Sequence, residues 1–321
     1  MSTIAIIGTG VIGAAWAAGF LAAGHEVSAF DPAPGADDRL LEQVSTFIGE
    51  TDSRAATVGG DPSAGVPTTP TVLDNLTFAA SLAEAVAGAD FVQENGPERL
   101  ETKQALLAEI DAAAPRSAII ASSTSGFAPS EISAFASSFP GRILVGHPFN
   151  PAHLVPLVEV VPSPATPAKV VERALTIYES IGKKPILVRA ELPGHVANRL
   201  QAAMWQEAYS LVERGIVSVA DIDTAVSHGP GLRWAILGPL AQQSLSGGSG
   251  GMRHVLEHLG PPQEVWMHDL RRVHLGDELK EKLITGVDEA LEGRDPVVLA
   301  RQRDEMLLEL IALKRKYGEL P

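Results

Sequence analysis

The sequence predicts an α/β protein: an N-terminal domain built on a doubly wound parallel sheet, followed by an all-α C-terminal domain. Three observations support this prediction. A glycine-rich turn follows the first apolar run, short apolar runs then alternate with helical stretches as far as residue 190, and only helical patterns follow. We therefore predict two domains, one over residues 1–190 and one over residues 191–321.

The glycine-rich turn predicts a Rossmann fold at the N-terminus. Gly8 permits a tight turn, Gly10 leaves no side chain between the backbone and a ligand, and Gly13 lets the next helix pack closely on its strand. Val11 and Ile12 are predicted to lie in the first turn of that helix, where unpaired backbone N–H groups can bind phosphates. A strand, turn and helix of this kind are typical of a dinucleotide site.

Asp31 closes the second apolar run, about 20 residues after the glycines. Its carboxylate can accept hydrogen bonds from the adenosine ribose hydroxyls, but it would repel a phosphate on the 2′ oxygen. We therefore predict NAD as the cofactor. Arg39 stands near enough in the sequence to leave NADP as an alternative.

The apolar and helical patterns place the remaining elements. Further strands are predicted at 26–30, 76–78, 90–93, 118–121, 143–145, 157–161 and 185–188, with helices at 82–86 and 166–181 between them. The C-terminal helices are predicted at 196–214, 219–227, 263–272, 276–291 and 296–317. Residues 52–70 are rich in Gly, Pro, Ser and Thr, which predicts a surface loop.

Composition excludes several classes of function. A formal net charge of -14 argues against nucleic acid as a partner, because phosphates would be repelled. We find neither a signal sequence nor an apolar run long enough for a membrane span, so a cytoplasmic protein is expected. The absence of cysteine excludes thiolate metal sites. His254 and His258 have the i, i+4 spacing of a metal-ligand pair, but no acidic motif lies near them, so no metal is predicted.

His147 is the best-placed base among the nine histidines. Oxidation of an alcohol with NAD needs a group that takes the hydroxyl proton, and histidine suits this role near neutral pH. His147 follows a predicted strand, where ligands of open α/β sheets bind. Glu159 lies within the next apolar strand, where a carboxylate is costly unless it is paired. The two side chains form either an acid–histidine pair or two unrelated hydrogen-bonded groups.

Five motifs together resemble the 3-hydroxyacyl-CoA dehydrogenase family. Their order and spacing match the family over nearly the whole chain, and the set is far more specific than any one member. The motifs are Gly8-x-Gly10-x-x-Gly13, Gln93-Glu94-Asn95-Gly96-Pro97-Glu98, Ser122-Ser123-Thr124-Ser125-Gly126, His147-Pro148-Phe149-Asn150-Pro151 and Pro193-Gly194-His195-Val196-Ala197-Asn198-Arg199-Leu200.

The resemblance implies roles for individual residues. His147 would be the catalytic base and Glu159 its orienting acid, while Ser125 and Asn198 would hydrogen-bond the reacting oxygen. From the residues alone, Ser125 could instead cap a helix and Asn198 could join two helices. The resemblance also implies that two further residues line the nicotinamide side of the cofactor, although either could be a solvated helix charge: Glu98 and Lys103.

Motifs of the C-terminal half, among them Gly231-Leu232-Arg233-Trp234-Ala235 and Gly251-Met252-Arg253-His254, resemble a smaller branch of the family, which includes L-gulonate 3-dehydrogenase (lambda-crystallin) and L-carnitine dehydrogenase. We therefore predict a homodimeric NAD-dependent dehydrogenase of a small 3-hydroxy acid. Arg233 or Arg253 could bind the carboxylate of this substrate, or each could instead form an ion pair on a helix surface. A 3-hydroxyacyl-CoA dehydrogenase and a non-catalytic crystallin-like or NAD-sensing protein are the alternatives. The acidic segment 31–70 stands where typical acyl-CoA enzymes of the family have a helical arm with basic residues, which disfavours coenzyme A as part of the substrate. His195 stands where an aromatic residue is commoner in the family.

Overall fold

The structure of the protein, a computed structural model, describes residues 1–55 and 72–318. The chain forms two compact units, the first spanning Met1–Asn198 and the second beginning at Arg199. The domain limits inferred from the sequence remain a prediction. No helix in the described ranges is both long and apolar enough to cross a membrane. Within the same ranges, no cluster of three or more His, Asp or Glu side chains is placed to bind a metal.

A single eight-stranded sheet forms the first unit, and the strand order is β3-β2-β1-β4-β5-β6-β7-β8. The doubly wound architecture predicted from the sequence is confirmed, because the order reverses at β1. The strands are β1 (Thr3–Ile7), β2 (Glu26–Phe30), β3 (Leu76–Phe78), β4 (Phe91–Glu94), β5 (Ile119–Ser122), β6 (Ile143–Pro148), β7 (Leu157–Pro162) and β8 (Lys184–Leu187).

The sheet is not parallel throughout, because β7 runs antiparallel to β6. The eight residues between these strands contain no crossover helix. A parallel connection needs a dozen or more residues, whereas a short loop can join antiparallel strands. The expectation of an all-parallel sheet is therefore wrong at this one pair, and the other paired strands are parallel.

Helices cover both faces of the sheet. They are α1 (Val11–Ala22), α2 (Ala36–Ala55), α3 (Leu82–Val86), α4 (Leu100–Ala113), α5 (Pro129–Ile132) and α6 (Ala168–Ser180), with a short 3-10 helix at Pro140–Arg142. The predicted loop at 52–70 is wrong over its first four residues, because α2 continues to Ala55 and the first Gly or Pro after Gly49 is Gly59. Residues 56–70 of this prediction lie outside the described residues. Part of the acidic segment is thus helical, which was not expected, although the first turn of this helix carries Asp37 and Asp38 rather than basic residues.

Alternate residues of β1 serve two hydrophobic layers. Ile4 and Ile6 pack in one layer with Trp16, Phe20 and other residues, while Ala5 and Ile7 pack in the opposite layer with helices α3 and α4. Successive side chains of a strand point to opposite faces, so a strand buried on both faces is apolar throughout. The two layers fix the carboxyl ends of the strands, where the candidate site lies.

The second unit is helical. Its helices are α7 (Ala197–Glu213), which begins in the first unit, α8 (Val219–Ser227), α9 (Pro230–Trp234), α10 (Pro239–Ser246), α11 (Gly251–Asp269), α12 (Asp277–Ala290) and α13 (Pro296–Lys316), with a 3-10 turn at Gly248–Gly250. The start predicted for α11, residue 263, is wrong. Prolines usually lie at or outside helix ends, but this helix carries Pro261 and Pro262 inside it.

Candidate active site

The glycine-rich turn between β1 and α1 forms a cradle that side chains could not occupy. Gly8 has a φ of +86°, and a Cβ at this position would lie 2.8 Å from the backbone of Asn95. A Cβ at Gly13 would lie 2.0 Å from the carbonyl oxygen of Gly8. A Cβ at Gly10, by contrast, would meet no atom within 4 Å, which leaves room over the start of α1. This open surface, with the N–H groups of Val11 and Ile12, fits a pyrophosphate.

Asp31 lies at the end of β2, beside this turn. Its carboxylate accepts hydrogen bonds from the backbone N–H of Thr9, at 2.8 Å, and of Ala33, at 2.9 Å. Each carboxylate oxygen keeps lone-pair capacity for a ribose hydroxyl. Arg39 donates to the carbonyl oxygen of Pro34 at 2.9 Å, so its guanidinium already has a backbone acceptor. The donor and acceptor set at this edge fits NAD.

Glu94 and Lys103 form a buried ion pair at the end of β4. The Lys103 ammonium lies 3.1 Å from Oε1 of Glu94 and also donates to the carbonyl oxygen of Gly96. Glu94 accepts further hydrogen bonds from the N–H of Gly96 and from the Ser122 hydroxyl. Lys103 is therefore not a solvated helix charge. Its contact with the nicotinamide remains a prediction, whereas its contacts show that it supports the loop after β4.

Glu98, Ser125 and Asn198 lie around the loop that follows β5. Glu98 accepts hydrogen bonds from the Thr124 hydroxyl, at 2.6 Å, and from the N–H of Ser125, at 2.9 Å. Asn198 donates from Nδ2 to the carbonyl oxygen of Ser125 at 3.0 Å. The structure therefore brings these three predicted site residues together, and the side chain of Ser125 is exposed.

His147 and Glu159 face each other across the antiparallel strands β6 and β7. The strand register pairs the two residues directly, and Nδ1 of His147 lies 2.8 Å from Oε2 of Glu159. Directly opposed residues of an antiparallel pair project to the same side of the sheet. Because Nδ1 donates to the carboxylate, Nε2 is the ring nitrogen that carries the free lone pair.

The second oxygen of Glu159 is held by the start of α7. Oε1 accepts the N–H groups of Val196, at 2.8 Å, and Ala197, at 2.9 Å. Burial alone would raise the pKa of Glu159, but the hydrogen bonds from His147 and the two amides lower the pKa below its ordinary value. The carboxylate is therefore ionised near neutral pH, although the side chain is fully buried.

His195 lies next to His147, with a ring-centroid distance of 5.4 Å. Its backbone φ of +50° lies in the left-handed region, and its Nε2 faces the carbonyl oxygen of Thr124 at 3.3 Å. Burial, followed by the proximity of His147, lowers the pKa of His195. His195 is therefore neutral near pH 7, with Nε2 as the donor to the Thr124 carbonyl.

Lys183 holds the loop between β6 and β7. Its buried ammonium donates to the carbonyl oxygens of Ala152 and Val155 and lies 5.6 Å from the ring centroid of Trp16. Burial lowers the pKa of Lys183 to about 8. The loop between the two strands of the His147–Glu159 pair is thus tied to a side chain outside that pair.

Arg233 and Arg253, the predicted carboxylate ligands, belong to the second unit. Arg233 lies in the last turn of α9. Arg253 lies in α11, 3.8 Å from Glu257 one turn later, with both side chains exposed. The rings of His254 and His258, on the same helix, are tilted by 35° with their centroids 4.0 Å apart. The role of either arginine in substrate binding remains a prediction.

Several residues of the site carried no specific signal in the sequence beyond their place in a motif. The hydrogen bonds of Gln93 with Ser123 and of Glu94 with Lys103 are one example, and the N–H groups of Val196 and Ala197 are another. Backbone donors have no sequence signature of their own. Gln93 and Glu94, which directly follow the apolar residues of β4, could have indicated these hydrogen bonds, because polar groups at the end of a buried strand need partners.

Comparison with known proteins identifies the family. Residues 3–191 match the NAD-binding domain of 3-hydroxyacyl-CoA dehydrogenase, and residues 194–286 match its C-terminal domain. The chain is 43% identical to an L-carnitine dehydrogenase of Streptomyces coelicolor, over 98% of this chain and 95% of that protein. It is 42% identical to a 3-hydroxyacyl-CoA dehydrogenase of Gibberella moniliformis, over 99% of this chain and 96% of that protein.

A solved structure resembles the whole chain. It is that of 5-formyl-3-hydroxy-2-methylpyridine 4-carboxylic acid 5-dehydrogenase, an NAD+-dependent dismutase. The TM-score is 0.81 and the identity 31%, over 98% of both chains. The family resemblance and the NAD cofactor inferred from the motifs are confirmed. The chain belongs to the 3-hydroxyacyl-CoA dehydrogenase family and is an NAD-dependent dehydrogenase.

Proposed function

We propose that this protein oxidises the 3-hydroxyl of a small free 3-hydroxy acid of the L-carnitine or L-gulonate type to the 3-ketone, and catalyses the reverse reduction. The observation that carries the proposal is the buried pair of His147 and Glu159, 2.8 Å apart, at the carboxyl end of β6. An imidazole whose Nδ1 donates to an ionised carboxylate is suited to take a hydroxyl proton at Nε2.

The residues around this pair can perform the proton transfer. His147 would accept the hydroxyl proton at Nε2, and Glu159 would stabilise the imidazolium through Nδ1. NAD, when bound, supplies the acceptor for the hydride that leaves C3. Ser125 and Asn198 would hydrogen-bond the reacting oxygen, which they can do in both directions because neither side chain titrates near neutral pH.

Two observations favour a free acid as substrate. L-carnitine dehydrogenases match the chain over nearly its whole length, for example at 43% identity in Streptomyces coelicolor and 40% in Pseudomonas putida. The first turn of α2 also carries Asp37 and Asp38, which would repel the phosphates of coenzyme A.

A 3-hydroxyacyl-CoA substrate is the second candidate. The relative from Gibberella moniliformis, which bears that name, is nearly as similar to this chain as the L-carnitine dehydrogenases are. The shared requirement is a hydroxyl at C3 of an acyl group. The two candidates differ in whether the carboxyl end is free or bound as a thioester, so kinetics can separate them.

The test is a side-by-side comparison of kcat/KM for L-carnitine, L-gulonate, 3-hydroxybutyrate and its CoA thioester, monitored by NADH absorbance. We expect the highest value with L-carnitine or L-gulonate. A clear preference for the thioester would favour the second candidate. No turnover with any of these substrates, despite measurable NAD binding, would contradict the proposed reaction and favour a non-catalytic NAD-binding protein.

His147→Ala is the matching variant. It removes the base without altering the nucleotide turn, so we expect kcat to fall about 10²- to 10⁴-fold while NAD affinity stays the same. His228→Ala, which changes a histidine in the second unit near the end of α8, is the control. Turnover within about threefold of the wild type in His147→Ala would remove His147 from the base role.

We also propose that the protein forms a homodimer and works in the cytoplasm. Among the described residues of the second unit, the buried hydrophobic side chains are only Val212, Val255 and Leu279. Trp266 is 63% exposed, and an apolar cavity of about 490 Å³ lies between α7, α8 and α12. Exposed apolar surface of this kind favours a partner of the same chain. Sedimentation at the monomer mass of 33.7 kDa would contradict the dimer.

A further inference from the structure

Ser123, which is half-buried, is the centre of a polar network that joins α1, β4 and the segment after β5. Its hydroxyl oxygen accepts hydrogen bonds from Nε1 of Trp16, at 3.1 Å, and from Nε2 of Gln93, at 2.8 Å. The same hydroxyl donates to Oδ1 of Asn95 at 2.7 Å. A hydroxyl has one proton and two lone pairs, so these three bonds use its full capacity.

One branch of the network leads to the nucleotide turn. Asn95 donates from its backbone N–H and from Nδ2 to the carbonyl oxygen of Ile7, at 2.7 and 3.4 Å. Gly8 lies directly against the backbone of Asn95, so close that a Cβ would not fit between them. The bond from Ser123 fixes the Asn95 amide, and Asn95 in turn supports the residues that form the turn.

The other branch leads to the strand that carries the base. Gln93 donates from Nε2 to the carbonyl oxygen of Gly146, the residue before His147, at 3.3 Å. Its Oε1 accepts the hydroxyl of Tyr178 at 2.7 Å. Burial raises the pKa of Tyr178 well above its ordinary value, so this hydroxyl stays a donor. The Gln93 amide therefore has one orientation, with its NH₂ group toward Ser123 and Gly146.

We propose that Ser123 is a positioning residue that couples the nucleotide turn to the strand of His147. The proposal rests on the proposed function, since it gives Ser123 a part in the dehydrogenase reaction. Loss of the hydroxyl would remove a partner from the buried groups of Trp16 and Gln93 and from the half-buried amide of Asn95. Buried polar groups without partners are costly, so both branches would rearrange. A displacement of about 1 Å at a reacting group can lower turnover about 10²-fold.

The first test compares Ser123→Ala with Ser123→Thr, which keeps the hydroxyl, and with Ser137→Ala, a control at an exposed serine. For Ser123→Ala we expect kcat to fall about 10- to 100-fold and the Kd for NAD to rise about 3- to 10-fold. Ser123→Thr should recover most of both losses. A lower melting temperature with unchanged kcat and Kd would show a merely structural role and overturn the proposal.

Gln93→Met separates the two branches. It removes the bond to Gly146 but leaves Asn95 in place, so kcat should fall while the Kd for NAD stays the same. Adding Ser123→Ala to Gln93→Met should then lower kcat less than Ser123→Ala does alone, because coupled residues are not additive. Fully multiplicative effects on kcat would contradict the coupling.

Trp16 provides a readout that does not need turnover. It is 1% exposed, while the other tryptophans are at least 43% exposed, namely Trp205, Trp234 and Trp266. With acrylamide quenching the exposed rings, Ser123→Ala should shift the remaining emission to shorter wavelength, because the indole N–H loses its acceptor. An unchanged emission and NAD affinity would overturn the network. An inactive wild type that still binds NAD would instead contradict the proposed function.

Discussion

Glu159→Gln is the sharpest test of the base. The substitution keeps the size of the side chain, and the amide oxygen can still accept the N–H groups of Val196 and Ala197. The amide NH₂ then faces Nδ1 of His147 and forces this nitrogen to act as an acceptor. The ring proton moves to Nε2, so the lone pair that would take the substrate proton is no longer available.

The size of the effect follows from the contact distance. Nδ1 and Oε2 are 2.8 Å apart, which places the centres of the two charges about 4 Å apart once the imidazolium has formed. With an effective dielectric constant of about 20, their attraction is about 4 kcal/mol. At about 1.36 kcal/mol for each factor of ten, we expect kcat to fall about 10³-fold.

The assay measures kcat at saturating substrate, the Kd for NAD and the melting temperature of Glu159→Gln. Glu172→Gln, at an exposed carboxylate of α6, serves as the matched control. We expect an unchanged Kd for NAD, because the hydrogen bonds of Glu159 run to His147 and the start of α7 rather than to the nucleotide turn. A fall in kcat of less than about tenfold in folded Glu159→Gln would refute the reasoning.

Three further predictions concern charge. Asp31→Asn should raise the ratio of kcat/KM for NADP to that for NAD about tenfold, because it removes the repulsion of the 2′-phosphate; an unchanged ratio would exclude Asp31 from the ribose site. Burial lowers the pKa of Lys183 from 10.5 to about 8, so the unfolded chain binds this proton more readily between these pH values. In urea unfolding, the free energy of unfolding of the wild type should therefore rise by up to about 3 kcal/mol relative to that of Lys183→Met between about pH 7 and 10.5. A difference between the two free energies that does not change with pH would contradict this. The lowered pKa of Glu159 stabilises the fold above the ordinary pKa of about 4.5. Relative to Glu159→Gln, this stabilisation should be lost progressively as the pH falls from about 4.5 through the lower folded pKa; a difference in unfolding free energy that stays constant over this range would contradict it.

Much of the first unit could be predicted because its elements have clear boundaries. The limits predicted for β2 and β3 match the structure: Gly24 precedes β2, Asp31 and Pro32 follow it, and Asp74 and Asn75 precede β3. The direction of β7 could not be predicted from its own residues, which suit either direction. The limits of α11 were missed because Pro261 and Pro262 are strong boundary signals that this helix accommodates.

In the candidate active site, too, some features could be predicted from the sequence and others could not. The apolar strand around Glu159 indicates that its carboxylate needs a partner, but only the strand register shows that this partner is His147. The amides of Val196 and Ala197 could not be predicted as the other partners, because every residue except proline has an N–H group. Lys103 is typical of a solvated helix residue in the sequence, yet it is buried against Glu94.

Because two backbone amides at the start of α7 bind Glu159, the length of the segment after β8 affects the pKa of this carboxylate. Each added residue turns a helix by about 100°. One extra residue before Gly194 would therefore move these donors away from the carboxylate, and Asn198 with them, while His147 and Ser125 stayed in place. The pKa of the acid would rise, and the imidazole would lose the charge behind it. An engineer who exchanges helical modules after β8 should keep this spacing fixed and vary only the residues beyond the first turn of α7.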